Sequence, residues 1–188
     1  MSRVFRLVLV ATLAVAAPAC GAEKVAVPPF AFVELRGAGD VTFVPGARQT
    51  VTILDGNTKV SGLRIVEGNK LVIDACARRC PPSYHLRVQI QAPHLLPVAV
   101  TGRGTITAAP GFAPQKELFA AVAEGGKIDA RAVQSANVFA AAQDGELLVN
   151  ASANLFGVAS KGGIVRYSGD PRLMTKIEPG ATVAPLQR

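Results

Sequence analysis

The sequence predicts an all-β chain wound as a parallel β-helix or related β-solenoid of short, glycine-cornered strands. Three observations predict this. Between Leu118 and Gln187 one short pattern occurs four times: Leu118-Phe119 with Gly125 and Ile128; Val138-Phe139 with Gly145 and Leu148; Leu155-Phe156 with Gly162 and Val165; Leu173-Met174 with Gly180 and Val183. The copies start 20, 17 and 18 residues apart, which is repeat spacing. Ahead of them, apolar and polar residues alternate with period two between turn residues, the pattern of half-buried strands. No stretch shows sustained helical periodicity with caps. The alternative fold is an antiparallel β-sandwich, whose hairpins do not need so regular a register.

The chain opens with a secretory signal, residues 1–19. Arg3 and Arg6 form a basic start, Leu7 to Ala17 is an uncharged apolar run, and Ala17-Pro18-Ala19 supplies small residues for cleavage. The run is too short to span a bilayer as a stable helix. Cleavage before Cys20 leaves one domain with ample core. Residues 20–29, with Pro28-Pro29, read as a leader or tether. Ala17-Pro18-Ala19-Cys20 is similar to a bacterial lipobox but lacks the usual leucine. Ordinary cleavage is therefore the leading reading, with Cys20 a lipidation candidate as the alternative.

From Phe30 to Val100 the strands are short. Val33 and Leu35 alternate with Glu34 and Arg36, and Val41 and Phe43 flank Thr42. Val51 and Ile53 flank Thr52, Leu63 and Ile65 flank Arg64, and Leu71 and Ile73 follow Gly68-Asn69. Leu86, Val88 and Ile90 alternate with Arg87, Gln89 and Gln91. This half is expected to be the same architecture as the repeats. Cys76 and Cys80 lie in it, and in an oxidising compartment they suit a disulfide closing a short loop. Their alternative is a zinc set with His85 and His94, but the histidine spacing exceeds the usual three to five residues.

Val98, Gly104 and Ile106 form a degenerate copy before the four clear ones. A single copy cannot bury its own apolar face, so copies must stack and share an interior. Frequent alanine (Ala120-Ala121, Ala140-Ala141-Ala142, Ala151, Ala153) suits a thin interior, with Phe119, Phe139 and Phe156 stacked in a column.

Gly162-Gly163-Ile164-Val165-Arg166-Tyr167-Ser168-Gly169-Asp170-Pro171, followed by Gly180, resembles the closing segment of the auto-transporter adhesin head GIN domain family. The opening stretch Phe32 to Phe43, with Gly39-Asp40-Val41, resembles that family's opening motif. The resemblance covers about Phe30 to Pro185, so residues 30–188 are expected to be one such domain. It implies a right-handed parallel β-helix exported to the bacterial envelope. It carries over no catalytic residues. The chain departs from the pattern at Asp144-Gly145-Glu146, where a second glycine is usual, and at Cys76 and Cys80.

Composition limits the function. The formal charge of +7 falls to about +5 without the signal's two arginines, and no Lys/Arg-rich run marks a nucleic-acid site. Tryptophan is absent, which weakens aromatic sugar or base platforms. No Gly-x-Ser-x-Gly elbow or phosphate-binding Gly-Lys-Ser/Thr motif occurs. No cofactor or metal is expected. Glu124, Asp144 and Lys161 precede the repeat glycines and would form one outward column. Such a column could serve a polysaccharide-active enzyme, because glycosidic cleavage needs an acid and a base or nucleophile roughly 5–10 Å apart. The favoured reading is a solvated corner in which Lys161 offsets the repulsion between the two acids, since exposed charges about 5 Å apart interact by only about 1 kcal/mol and such a column needs no function. The expected function is therefore a non-enzymatic envelope or cell-surface binding or structural module, in the periplasm or on the outer membrane. Its partners would be surface polysaccharide or protein, and it would meet a membrane only through Cys20. A monomer is expected, because Pro179, Pro185 and Arg188 blunt the last rung.

Overall fold

The computed structural model describes residues 22–187. The expected signal sequence and Cys20 lie outside the described residues. In chain order the strands are β1 (Glu23–Val25), β2 (Phe32–Arg36), β3 (Asp40–Pro45), β4 (Thr50–Asp55), β5 (Gly62–Val66), β6 (Lys70–Asp74), β7 (Arg87–Ala92) and β8 (Val98–Thr101). There follow β9 (Thr105–Ala108), β10 (Gln115–Ala123), β11 (Lys127–Gln143), β12 (Glu146–Ser160), β13 (Ile164–Ser168), β14 (Arg172–Ile177) and β15 (Thr182–Pro185). No helix occurs among the described residues. All fifteen strands belong to one curled sheet of mixed parallel and antiparallel pairing.

Two parallel ladders organise that sheet. One runs β6-β2-β8-β10 and continues through the C-terminal half of β11, the C-terminal half of β12, and β14. The other runs β7-β3-β9 and continues through the N-terminal halves of β11 and β12 to β13 and β15. The long strands β11 and β12 bend from one ladder into the other, so each copy contributes a strand to both. The alternation seen in the sequence sets which side chains enter the shared core. Val33 and Leu35 are fully buried, as are Val41, Phe43, Val138, Leu155 and Val165, and both ladders feed a single apolar cluster.

Four findings revise the sequence reading. First, the rungs are not stacked in chain order. The β2–β3 rung lies between the β6–β7 rung and the β8–β9 rung, so the first half does not continue the repeat in sequence. Second, that half ends in antiparallel strands: β5 covers β6, β4 covers β7, and β1 covers β4. Part of the segment read as a tether thus joins the sheet as β1. These antiparallel strands cover the parallel ladders, and β1 and β5 become the edge strands at this end of the sheet.

Third, the second clear copy is one residue shorter at its corner. Ala123 pairs with Gln143 but Lys127 with Glu146, so Leu147, not Leu148, stands in register with Ile128 and Val165. Gly145 accordingly matches Gly126 and Gly163, whose close contacts between rungs leave no space for a side chain: a Cβ on Gly163 would meet the Ala142 carbonyl.

Fourth, the phenylalanines point outward. Leu118, Val138 and Leu155 take the inner positions, and Phe119 is 43% exposed. The rings do stack in register, with centroids 4.5 Å apart for Phe119–Phe139 and 4.7 Å for Phe139–Phe156. Each repeat offers two adjacent apolar residues, and a strand can turn only one of them inward.

Candidate binding groove

The outer face of the first ladder is apolar where a solvated sheet face is usually polar. Two adjacent columns produce this. One holds Phe119, Phe139, Phe156 and Met174 in successive register. Phe32 lies on the same line beyond Pro97, with the Lys70 ammonium 6.0 Å from its ring centre. The next column, two residues along each strand, reads Glu34, Ala99, Ala121, Ala141, Val158 and Lys176. Large residues beside small ones make a ridge beside a trough. The resulting groove encloses about 680 Å³ and is lined by Phe119, Ala121, Phe139, Ala141, Val158 and Met174 among others. It runs across the strands, about 19 Å from Ala99 to Lys176 at about 4.8 Å per rung.

Polar columns border the groove on both sides. Beyond the phenylalanines stand Glu117, Asn137, Asn154 and Arg172, with the Asn154 amide donating to the Asn137 side-chain oxygen at 2.8 Å. Beyond the trough lie Thr101, Ala123, Gln143 and Ser160, which line a smaller depression of about 260 Å³.

Charge is distributed unevenly along the trough. At one end Glu34 accepts from Arg36 at 2.6 Å and lies 3.4 Å from Lys70. The Arg36 hydrogen bond holds the Glu34 carboxyl below the usual carboxylate range. At the other end Lys176 has no ion pair among the described residues.

Glu124, Asp144 and Lys161 fall one residue beyond Ala123, Gln143 and Ser160, at the corners between ladders. All three are exposed. The structure brings them into one column, with the Gly125 N–H donating to the Asp144 carbonyl and the Asp144 N–H to the Ser160 carbonyl. What they share is backbone shape: φ is 58°, 52° and 48° respectively, a left-handed conformation that costs a non-glycine residue about 1–2 kcal/mol. Gly125 and Gly162 follow at φ 81°, and the Gly126 and Gly163 N–H groups close the turns onto Ala123 and Ser160. None of the three carboxylate or ammonium groups forms an ion pair or side-chain hydrogen bond among the described residues.

Cys76 and Cys80 form the expected disulfide, Cα atoms 5.9 Å apart. His85 lies 3.3 Å from Asp40, and no metal-binding cluster occurs among the described residues.

No protein-family model matches the chain, and no curated protein matches it. Solved structures are similar to it over most of its length. One is a "putative adhesin" from Bacteroides fragilis, 13% identical, TM-score 0.49, covering 88% of this chain and 96% of that one. Another is a "putative lipid binding protein" from Parabacteroides distasonis, 14% identical, TM-score 0.34, covering 89% and 96%. A "putative cell adhesion protein" from Clostridium sporogenes is 14% identical, TM-score 0.41, covering 88% and 98%. Likeness at this level speaks neither to the details of the fold nor to a ligand.

Proposed function

We propose that this chain is a non-enzymatic binding module of the bacterial envelope, built on a right-handed β-solenoid, and that its outer groove holds an extended apolar ligand. The observation that carries the reading is the uninterrupted trough Ala99, Ala121, Ala141, Val158, walled by the phenylalanine column. An apolar strip of this length on an exposed sheet face is a binding feature by default. The stacked rings occupy one another's faces, so their edges line the groove. A sugar packs on a ring face, so this favours a hydrocarbon chain over the polysaccharide expected from sequence. The signal sequence and the head GIN resemblance support an exported location; lipidation at Cys20 would bring the groove to a membrane surface.

Titrating the exported chain with a soluble single-chain amphiphile such as dodecanoate, followed by calorimetry, tests the reading. Saturable binding is expected, weakened at least about tenfold by Val158→Asp, because a buried unpaired carboxylate costs several kcal/mol. Absence of saturable binding, or a Val158→Asp variant that binds equally well, rejects the reading. Turnover of an envelope polysaccharide that Asp144→Ala abolishes would instead establish the enzyme alternative, with Glu124 and Lys161 as its partners.

A further inference from the structure

Among the described residues, the last rung leaves the interior of the coil uncovered. Leu173 and Ile177 continue, in register, the inward columns of Leu155 and Ala159, both fully buried. Yet Leu173 is 45% exposed and Ile177 47%. Among the described residues β14 pairs only with β12, which leaves its other edge bare there. The Glu178 N–H bonds the Ala159 carbonyl at 2.9 Å. By strand alternation, residues 172, 174 and 176 also turn their backbone groups to β12, while Leu173, Thr175 and Ile177 turn theirs to the free edge. The neighbouring edge strand β15 ends in Pro185, which has no N–H to offer.

The order of residues on β14 selects the occupant. Consider a second copy of β14 lying antiparallel, with a two-fold axis at Thr175. Leu173 then stands opposite Ile177 of the second copy on the inward face, so the two open interiors close on each other. Arg172 stands opposite Glu178, opposite charges on the outward face. Leu173, Thr175 and Ile177, whose backbone groups are free, fall in the hydrogen-bonded positions of the new ladder, each pair exchanging two bonds. Neighbouring registers fail. An axis at Met174 places Arg172 opposite Lys176, and an axis at Lys176 places that lysine opposite itself. An axis between two residues sets inward side chains against outward ones.

We propose that two copies of this chain join end to end through antiparallel β14–β14 pairing centred on Thr175. The dimer replaces the monomer expected from sequence: Pro179 and Pro185 blunt β15 and its approach but leave β14 open. The proposal is independent of what the groove binds, since it rests on the bare edge and the uncovered inner columns.

Sedimentation velocity of the exported chain across a concentration series tests it. A dimer is expected. Thr175→Pro removes an N–H that β12 does not use, so it should raise the dimer dissociation constant by at least about tenfold. Arg172→Glu and Glu178→Arg should each weaken the dimer about tenfold through like-charge pairs, and the double variant should restore it to within about threefold. Both charged positions are exposed on the monomer, so this rescue decides the matter even if Thr175→Pro does not fold. A monomer throughout the series, or a dimer that neither single reversal weakens, or a double variant that is not restored, overturns the proposal.

Discussion

Residues 30–97 and residues 98–187 both build parallel rungs on the same two ladders, but they end differently. The first half is irregular in sequence and finished in space. Its outermost strands β6 and β7 are covered by β5 and β4, and its inner residues Leu35, Leu71 and Ile73 are fully buried. The second half is regular in sequence and unfinished in space. Among the described residues its copies pair in parallel from β8 to β14, and the inner positions Leu173 and Ile177 of β14 are exposed. A repeat supplies the next rung only while another copy follows; a cap requires residues that break the pattern. Irregularity at one end is what finishing the sheet looks like in sequence.

The strongest way to break this comparison is to cut the same side chain at both ends. Leu35→Ala is expected to cost about 3 kcal/mol, because it opens a cavity in a closed core. Leu173→Ala, at the open end, is expected to cost no more than about 1 kcal/mol in dilute solution, since half of that side chain is already in water. Urea unfolding of both variants, at a concentration where the chain is monomeric, gives the difference. Equal costs would mean the last rung is covered after all.

The corners sharpen the comparison next. Lys161→Gly relieves a left-handed lysine in the regular half and is expected to stabilise by about 1 kcal/mol. Glu67→Gly does the same at the β5–β6 hairpin in the capped half, where Glu67 has φ 51°. Similar gains in thermal unfolding would show that the two halves share one turn chemistry despite their different pairing. Loss of envelope binding or of turnover on Lys161→Gly would instead give the corner a functional role.

The smallest expected effect is acid sensitivity. Arg131 donates to the Asp129 carboxylate in the regular half at 2.9 Å, and that bond holds Asp129 below its usual range. Glu34 is held low in the capped half, chiefly by Arg36. A carboxyl depressed on folding adds stability above its unfolded pKa and loses it as pH falls through the folded value. Both contributions should therefore be complete at neutral pH and fade below about pH 4. The groups are partly solvated, so each should amount to less than about 1 kcal/mol. Asp129→Asn should remove one share of the acid slope and Glu34→Gln the other; unchanged slopes in both would show that neither pair matters to stability.

Much of the architecture was legible. Alternation placed the strands β2 to β7, because Leu35 or Ile90 must face a core while Arg36 or Gln91 must not. Spacing placed the repeats. The rung order was not legible, since alternation tells which face of a strand is buried but not which strand lies beside it. The groove was hidden for a related reason. Leu118-Phe119 and its copies put two apolar residues side by side, and only register shows that the larger one faces out. Glu124, Asp144 and Lys161 precede glycines that are not equivalent, since Gly145 matches Gly126 and Gly163, and the sequence could not show that backbone shape is the property the three residues hold in common.

The position of the β2–β3 rung has a consequence for assembly. It leaves the ribosome before either of its neighbours, and it ends between them. It is therefore a seed with two growing faces: the hairpin-bearing rung closes one side, and successive copies extend the other. The first face must recruit chain from some 40 residues downstream and the second face opens with a closure of some 65 residues, from Val33 to Val98, while each later step on the second face joins strands about 20 apart. Closure over the shorter span is faster, because bringing distant segments together costs more chain entropy. Growth along the repeat can proceed like the lengthening of a fibre, one turn at a time, from a nucleus that is itself slow to complete.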